Sequence, residues 1–494
     1  MSVYAADPYF PPKTKLPYHL PAVTFKNASE KQQVSFDVAH DYMPAIQLPE
    51  PLPSYLLSSP RHLTLREAIM LAIRENPNIR SSELQRIVDK FTLILAKEVF
   101  QPQYTFKATQ SLDHSMKPAY TFTPTVSVKT PLGTQLSVDY ANNLDGGSGG
   151  ATFSVTQPLL KDFGAVNTVP LYDAFNNEAV AKMNFKNNVI NSIDAVITAY
   201  RTLVSDYKNV EIQKRTLKET LESLKQYQLK VKVGKMAPSD LLQQKATVAT
   251  TRLALVQQQN ALQQNYQQFL STIGLMPNAQ LQIVTDISID EYPLPTESDA
   301  IKRALNNNIA YRQALLQLEN TKRAILTAQN QRRWSLNASA TATLGQAAKP
   351  VGIVDPGTGP TFSLDLEIPI DNVGGQAAEV DARVAYEQAK LALEQQKEDL
   401  IRRVMTQLQT IRSDWQQIQV SKTAVTLQAQ TLKAAKLKLN YGRSTVFEVT
   451  QDQDQLLSQQ TALVSTEITY LNDITALHKI WGDTLDVWSI QLRY

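Results

Sequence analysis

Apolar positions along this chain recur with two periods, and the two alternate in the same order twice. Leu203, Tyr207, Val210, Leu217, Leu221, Leu224 and Val231 are spaced by fours, threes and sevens, and Val404, Leu408, Ile411, Trp415, Ile418, Val425, Leu432 and Leu439 follow the same rule. A sustained period of 3.5 predicts left-handed coiled-coil packing. No proline interrupts 171–233 or 376–441, so each is predicted as one helix, about 94 and 99 Å long at 1.5 Å per residue. Shorter helical segments, 64–99, 239–273, 299–333 and 446–481, run about 52 Å each. Two short helices end to end match one long helix, which predicts a tube wall of antiparallel pairs. Thr64 and Glu67 form a capping box at the first start, and Pro77 predicts a kink. Lys214, Gln228, Lys422 and Lys436 interrupt the heptads; they either set register or mark helix sections wetted on two sides.

Between the helices the period drops to two. Tyr104, Phe106 and Ala108 alternate with polar residues, as do Phe122, Val126 and Val128, then Leu136, Val138 and Tyr140 beyond a Pro131-Leu132-Gly133 turn, then Phe153 and Val155. Later, Leu336, Ala338, Ala340, Ala342 and Leu344 alternate with Ser335, Asn337, Ser339, Thr341 and Thr343, and Phe362, Leu364, Leu366 and Ile368 with Thr361, Ser363, Asp365 and Glu367. Such runs fit half-buried strands of a soluble sheet or membrane-crossing strands of about ten residues. No other sheet is present for these hairpins to pack on, and an open edge cannot stand in lipid. The edges must therefore close against further copies of the chain.

The whole pattern is a tandem repeat. Gly234, Asp240 and Gly274 match Gly442, Glu448 and Gly482 at an offset of 208, whereas Glu67, Ala68, Ile69, Ala72 and Asn76 match Asp299, Ala300, Ile301, Ala304 and Asn308 at 232. The offset falls because the first copy has extra residues in its strand region. The division read from this is a proline-rich arm over 1–61, a first repeat over 62–290 with strands about 103–157, and a second over 291–494 with strands about 335–368.

Composition removes several chemistries. A net charge of +3 with 19% charged residues gives no reason to invoke nucleic acid. Zero cysteine excludes disulfides, thiolate metal sites and a cysteine nucleophile. No run of about 18 apolar residues marks a transmembrane helix. Met1–Asp7 reads equally as an ordinary start or as the stub of a cleaved signal. His19, His40, His62, His114 and His478 show no ligand spacing, the 146–150 glycine cluster lacks the Lys-Ser/Thr of a phosphate loop, and Asp452 and Asp454 lack the rest of a calcium loop. No cofactor, metal or enzyme activity is expected.

The remaining candidates lie at the turns after the long helices. In Gly234-Lys235-Met236-Ala237-Pro238-Ser239-Asp240 and Gly442-Arg443-Ser444-Thr445-Val446-Phe447-Glu448, the glycine closes the helix in a left-handed conformation, and Ser239 or Asp240 is expected to cap the next one. The mixed charge around them has two readings, ordinary capping of solvated ends or an ion-sensitive gate.

These features resemble the TolC-like outer-membrane efflux and secretion channels, the outer membrane factors, over about 62–488. The resemblance is carried by the duplication, the glycine-to-acid turns, Gln157-Pro158-Leu159-Leu160-Lys161-Asp162-Phe163-Gly164 and Ile368-Pro369-Ile370-Asp371-Asn372-Val373-Gly374. It implies a mostly α fold with a transmembrane β-barrel: a homotrimer, each protomer giving four strands to one 12-stranded barrel and its helices to a periplasmic coiled-coil tube. The tube would carry an equatorial girdle of about 275–298 with parts of the terminal segments, and the location implied is the outer membrane of a Gram-negative bacterium, in contact with its lipid. The glycine turns would be tips where a periplasmic adaptor (membrane fusion) protein docks, through Gly234, Lys235, Met236, Ala237, Gly442, Arg443 and Ser444, linking to an inner-membrane transporter of the ABC or RND type. The entrance gate would use Ser239, Asp240, Arg443, Ser444, Glu448, Gln451 and Asp452. Asp240 and Glu448 match acidic positions of the family. Gln451 stands where a second acid is often found, and Ser444 where a basic residue often lies. The activity implied is passive export, in type I protein secretion or multidrug efflux. A periplasmic coiled-coil adaptor or scaffold is the competing expectation; it accounts for the heptads but not for the alternating strands.

Overall fold

The computed structural model describes residues 61–112, 118–143, 149–345 and 360–492. The proline-rich arm, the tip of the 146–150 cluster and most of the 345–360 loop lie outside the described residues.

Two long helices dominate, α3 (Val169–Lys232) and α7 (Val373–Asn440), of 64 and 68 residues. Each packs against two stacked shorter helices. For α3 these are α2 (Pro77–Glu98) and α4 (Pro238–Ile273); for α7 they are α6 (Ile309–Arg332) and α8 (Val446–Trp481). Leu203, Val210, Val404, Leu408, Ile411, Ile418 and Leu432 of the heptads are buried, while Lys214, Gln228 and Lys422 are exposed.

The short upper helices differ from expectation. The first is not kinked at Pro77; it is two helices, α1 (Leu65–Glu75) and α2, separated by Asn76. Its counterpart is likewise two, α5 (Glu297–Asn307) and α6, separated by Asn308. No proline follows Asn308, so the asparagine itself makes the break. Its backbone is extended, its side-chain oxygen accepts the Tyr311 N–H at 3.0 Å, and its amide donates to the Ile480 carbonyl at 2.9 Å. Asn76 does the same, accepting the Asn78 N–H at 2.8 Å and donating to the Thr272 carbonyl at 2.7 Å. Gly274 and Gly482 end the partner helices in the left-handed region, at φ 84° and 73°. A Cβ at Gly274 would lie 2.3 Å from the Glu75 carbonyl oxygen, and one at Gly482 2.6 Å from that of Asn307. Glycine is required here by both conformation and backbone approach.

The two main cores lie at this level. One gathers Ile69, Ile79, Ile193, Tyr200, Phe269 and Ile273; the other gathers Ala300, Val404, Leu408, Tyr470 and Trp481. A parallel two-stranded ribbon, β1 (Arg61–Leu63) with β6 (Leu281–Ile283), covers the first core, and the Tyr200 hydroxyl lies 2.9 Å from the Leu63 and Val284 carbonyls. The short helix α9 (Thr484–Val487) follows α8.

Beyond the upper ends of the helices lies one antiparallel sheet of β2 (Gln103–Leu112), β3 (Pro118–Lys129), β4 (Gln135–Asn143), β5 (Gly150–Pro158), β7 (Ser335–Gly345) and β8 (Thr361–Glu367), in that order. The fold class stands, but the strand number differs: among the described residues the sheet has six strands, not four, because the first repeat adds a hairpin at one edge. Its register aligns Tyr104 with Val126, Val126 with Val138, Val138 with Phe153, Phe153 with Ala342 and Ala340 with Phe362. Side chains alternate faces along a strand, so one face is mainly apolar, with Gln110, Asn142 and Gln157 as polar exceptions, and the other carries Thr, Ser, Asn and charged residues.

Candidate functional site at the helical tips

Both tips are built by the same local rule. After α3 the Gly234 φ is 73°, and the Lys235 N–H donates back to the Lys230 carbonyl at 2.8 Å. After α7 the Gly442 φ is 72°, and the Arg443 N–H donates to the Lys438 carbonyl at 2.9 Å. These six-residue closures satisfy carbonyls that a helix end leaves open.

The starts of the returning helices differ. Ala237 caps α4 without a side-chain bond and Pro238 takes the first helical turn. The expected cap from Ser239 or Asp240 is therefore corrected. Both lie inside α4, where the Asp240 carboxylate faces the positive end of the helix dipole. At the second tip Thr445 is the cap, its hydroxyl accepting the Glu448 N–H at 3.1 Å, and the Ser444 hydroxyl donates to Glu448 Oε2 at 2.8 Å. Thus Ser444 and Glu448 are joined. Gly234, Lys235, Ala237, Ser239, Gly442, Arg443 and Gln451 are exposed, and Met236, Asp240 and Asp452 half-buried. Among the described residues no ion pair joins Lys235 or Arg443 to Asp240, Glu448 or Asp452.

The links between the hairpins come from residues that sequence reasoning missed, except Lys436, which the heptad pattern marks as an interruption. Lys230 Nζ donates to Asn440 Oδ1 at 2.9 Å, and Lys436 Nζ reaches Glu219 Oε2 at 3.1 Å, each tying α3 to α7. Tyr227 is buried beneath Lys230, and burial, then the Asp240 charge, raises its hydroxyl pKa. Higher up, Thr220, Gln244 and Gln453 form a buried polar node. Gln244 Nε2 donates to the Thr220 carbonyl at 3.1 Å and Gln453 Nε2 to the Thr220 hydroxyl at 3.2 Å. One threonine thereby holds α3, α4 and α8 together.

The second repeat has a matching clamp, since Gln428 Nε2 donates to the Asp452 carbonyl at 3.2 Å. Position 428 is 220 plus the repeat offset, and 452 is 244 plus it. That coincidence of polar residues was the signal available in the chain.

Among the described residues no group of three or more His, Asp or Glu side chains is placed to hold a metal ion, and no helix is long and apolar enough to cross a membrane. What the arrangement offers is a set of polar ties between helices near the two tips.

No curated protein matches this chain in sequence. Among solved structures it is similar to CusC, with a TM-score of 0.66 and 17% identity over 85% of this chain and 92% of that one. It is similar to VceC from Vibrio cholerae, with a TM-score of 0.65 and 16% identity over 85% and 96%. It is also similar to the open state of MtrE from Neisseria gonorrhoeae, with a TM-score of 0.63 and 14% identity over 85% and 89%. These likenesses are of fold. A family profile described as Outer membrane efflux protein matches residues 69–275 and 300–483, one block in each repeat and together most of the chain. The chain belongs to the outer membrane efflux protein family.

Proposed function

We propose that this outer-membrane channel works as a homotrimeric efflux duct whose periplasmic end is gated at the two helical tips. Family membership makes it a channel of the outer membrane that extends into the periplasm, and not an enzyme. The observation that carries a duct shared between copies is the sheet: one face is mainly apolar in every strand, and among the described residues two edges are unpaired. Backbone groups on such edges cannot be left unbonded in hydrocarbon, so neighbouring protomers complete the wall. A scaffold or adaptor would need no such face.

The gate comprises Ser239, Asp240, Arg443, Ser444, Glu448, Gln451 and Asp452, backed by the Thr220 node. Exposed Gly234, Lys235, Ala237, Gly442 and Arg443, with Met236 and Ser444, form the docking surface for a periplasmic adaptor, which links the duct to an inner-membrane transporter. The equatorial girdle is 275–298 with the described terminal segments, between the two repeats at 62–290 and 291–494. Cargo moves passively, driven by that transporter.

The test is deletion of the gene with re-expression of the chain. Restored extrusion of a fluorescent efflux dye, together with a crosslink from Lys235→Cys to an adaptor, supports the reading. Dye accumulation that is the same with and without the chain overturns it.

A further inference from the structure

The sheet holds one hairpin more than the four strands per protomer that the family resemblance implies, and β2–β3 is the hairpin at its edge. It could fold into a lumen, cap a mouth or lengthen the wall, and the register decides among these. β2 pairs with β3 from Gln103–Ser127 to Leu112–Pro118, and β3 with β4 from Lys129–Gln135 to Thr125–Asp139 and again, past Thr123 and Pro124, at Phe122–Asn142 and Thr121–Asn143. The apolar face continues unbroken through Tyr104, Phe106, Phe122, Val126 and Val128 onto β4. The Phe106 and Phe122 rings stack at 5.9 Å on that face, and Phe106 is 69% exposed. The opposite face carries Thr105, Lys107, Thr109, Thr123, Thr125 and Ser127. A hairpin inside a water-filled lumen would gain nothing from an aromatic outer face, and one lying over a mouth would not keep the ladder.

The join between β3 and β4 is built in as well. The Gly133 N–H donates to the Thr130 carbonyl at 2.9 Å, and the Gly164 N–H reaches across to the Leu132 carbonyl at 3.0 Å, just before α3 begins. The edge of β4 that would be free in a four-stranded unit is thus covered by β3. Among the described residues the free edges belong to β2 and β8. β2 runs away from the helices and β8 runs back to them, so the edges of neighbours meet antiparallel. Lys107, midway along β2, and Asp365, near the helical end of β8, both lie on the polar face, so the meeting edges carry opposite charge.

We propose that β8 of one protomer pairs with β2 of the next, so that three protomers of six strands each close a barrel of 18 strands rather than 12. The proposal rests on the trimeric reading above. At a strand spacing of about 4.8 Å and a tilt of about 40°, the backbone diameter becomes about 36 Å instead of about 24 Å. The open cross-section roughly doubles, so the barrel does not limit cargo size, and selection by size falls to the helical tips.

The chain has no cysteine, so every disulfide in a test is an engineered one. Ser363→Cys on β8 is combined with Thr105→Cys, Lys107→Cys or Thr109→Cys on β2, and separately with Ser137→Cys or Asp139→Cys on β4, in full-length protein in membranes. A covalent three-chain species with at least one β2 partner, and none with β4, is expected. A three-chain species through β4, or none through any β2 partner in folded trimers, overturns the 18-stranded barrel. Electron microscopy of the unmodified protein in lipid nanodiscs provides the second reading, with 18 strands expected and 12 contradicting. Native mass of the same sample separates the two claims, because a stoichiometry other than three refutes the trimer and not the edge pairing.

Discussion

Replacing Thr220 by valine keeps the shape of the buried node and removes one oxygen. The Thr220 carbonyl still receives Gln244, but Gln453 Nε2, buried and 3.2 Å from the lost hydroxyl, is left without a partner. An orphaned buried amide costs about 1–3 kcal/mol. Because the node holds three helices near their tips, the loss should act on local opening rather than on the whole trimer. Amide hydrogen exchange in 214–228 and 446–460 should then quicken by about 5- to 150-fold, with the equatorial cores unchanged. Mass-spectrometric exchange on the detergent-solubilised channel measures this. Thr220→Val with Gln453→Leu removes both partners together and should lie nearer the wild type than Thr220→Val alone. Exchange within twofold of wild type in a folded Thr220→Val channel, or a double variant no better than the single, would refute the node as a tie between helices.

Gly274→Ala meets the Glu75 carbonyl at 2.3 Å in a left-handed residue, whereas Gly234→Ala meets nothing within 4 Å. The first should lower the dissociation temperature of the assembled channel severely, by the equivalent of about 3 kcal/mol or more, and the second should cost only the conformational term of about 1–2 kcal/mol; equal losses contradict the equatorial packing. Glu448→Ala removes the Ser444 hydrogen bond at the exposed second tip and should raise single-channel conductance or weaken cation block, so an unchanged channel removes Glu448 from the gate. Burial, followed by the neighbouring Asp473 carboxyl, pushes Asp414 up to about 6. The folded form keeps this proton where an unfolded carboxyl, near about 4, has lost it. The contribution is therefore present below about pH 4 and lost as pH rises through 6. Asp414→Asn should flatten heat stability between those values and raise it at pH 7; an unaltered pH profile contradicts the assignment.

Much of this architecture was written in spacing. Heptads placed the long helices to within three residues at either end, because a seam buried along its length imposes its period on the chain. Alternation located every strand of the sheet, because one face meets apolar surroundings and the other water. The strand number went astray where the family resemblance overrode the six alternating runs that the residues themselves displayed. The break at Asn308 was invisible because no proline marks it, and a capping asparagine in the middle of a helical pattern looks like any solvated residue. The helix cap at Thr445 was passed over for the acids beside it. The Thr220 node was hidden for a different reason. A threonine beside a heptad seam reads as surface unless the polar residues at the repeat offset are compared, and the approach of amides from α4, next in sequence, and the distant α8 shows it to be buried.

Single-channel recording of the purified chain in a planar lipid bilayer tests the central claim most directly. Discrete, ohmic conductance steps from the detergent-extracted protein are predicted. A detergent-free, water-soluble monomer that leaves the bilayer current unchanged would contradict a barrel completed between copies.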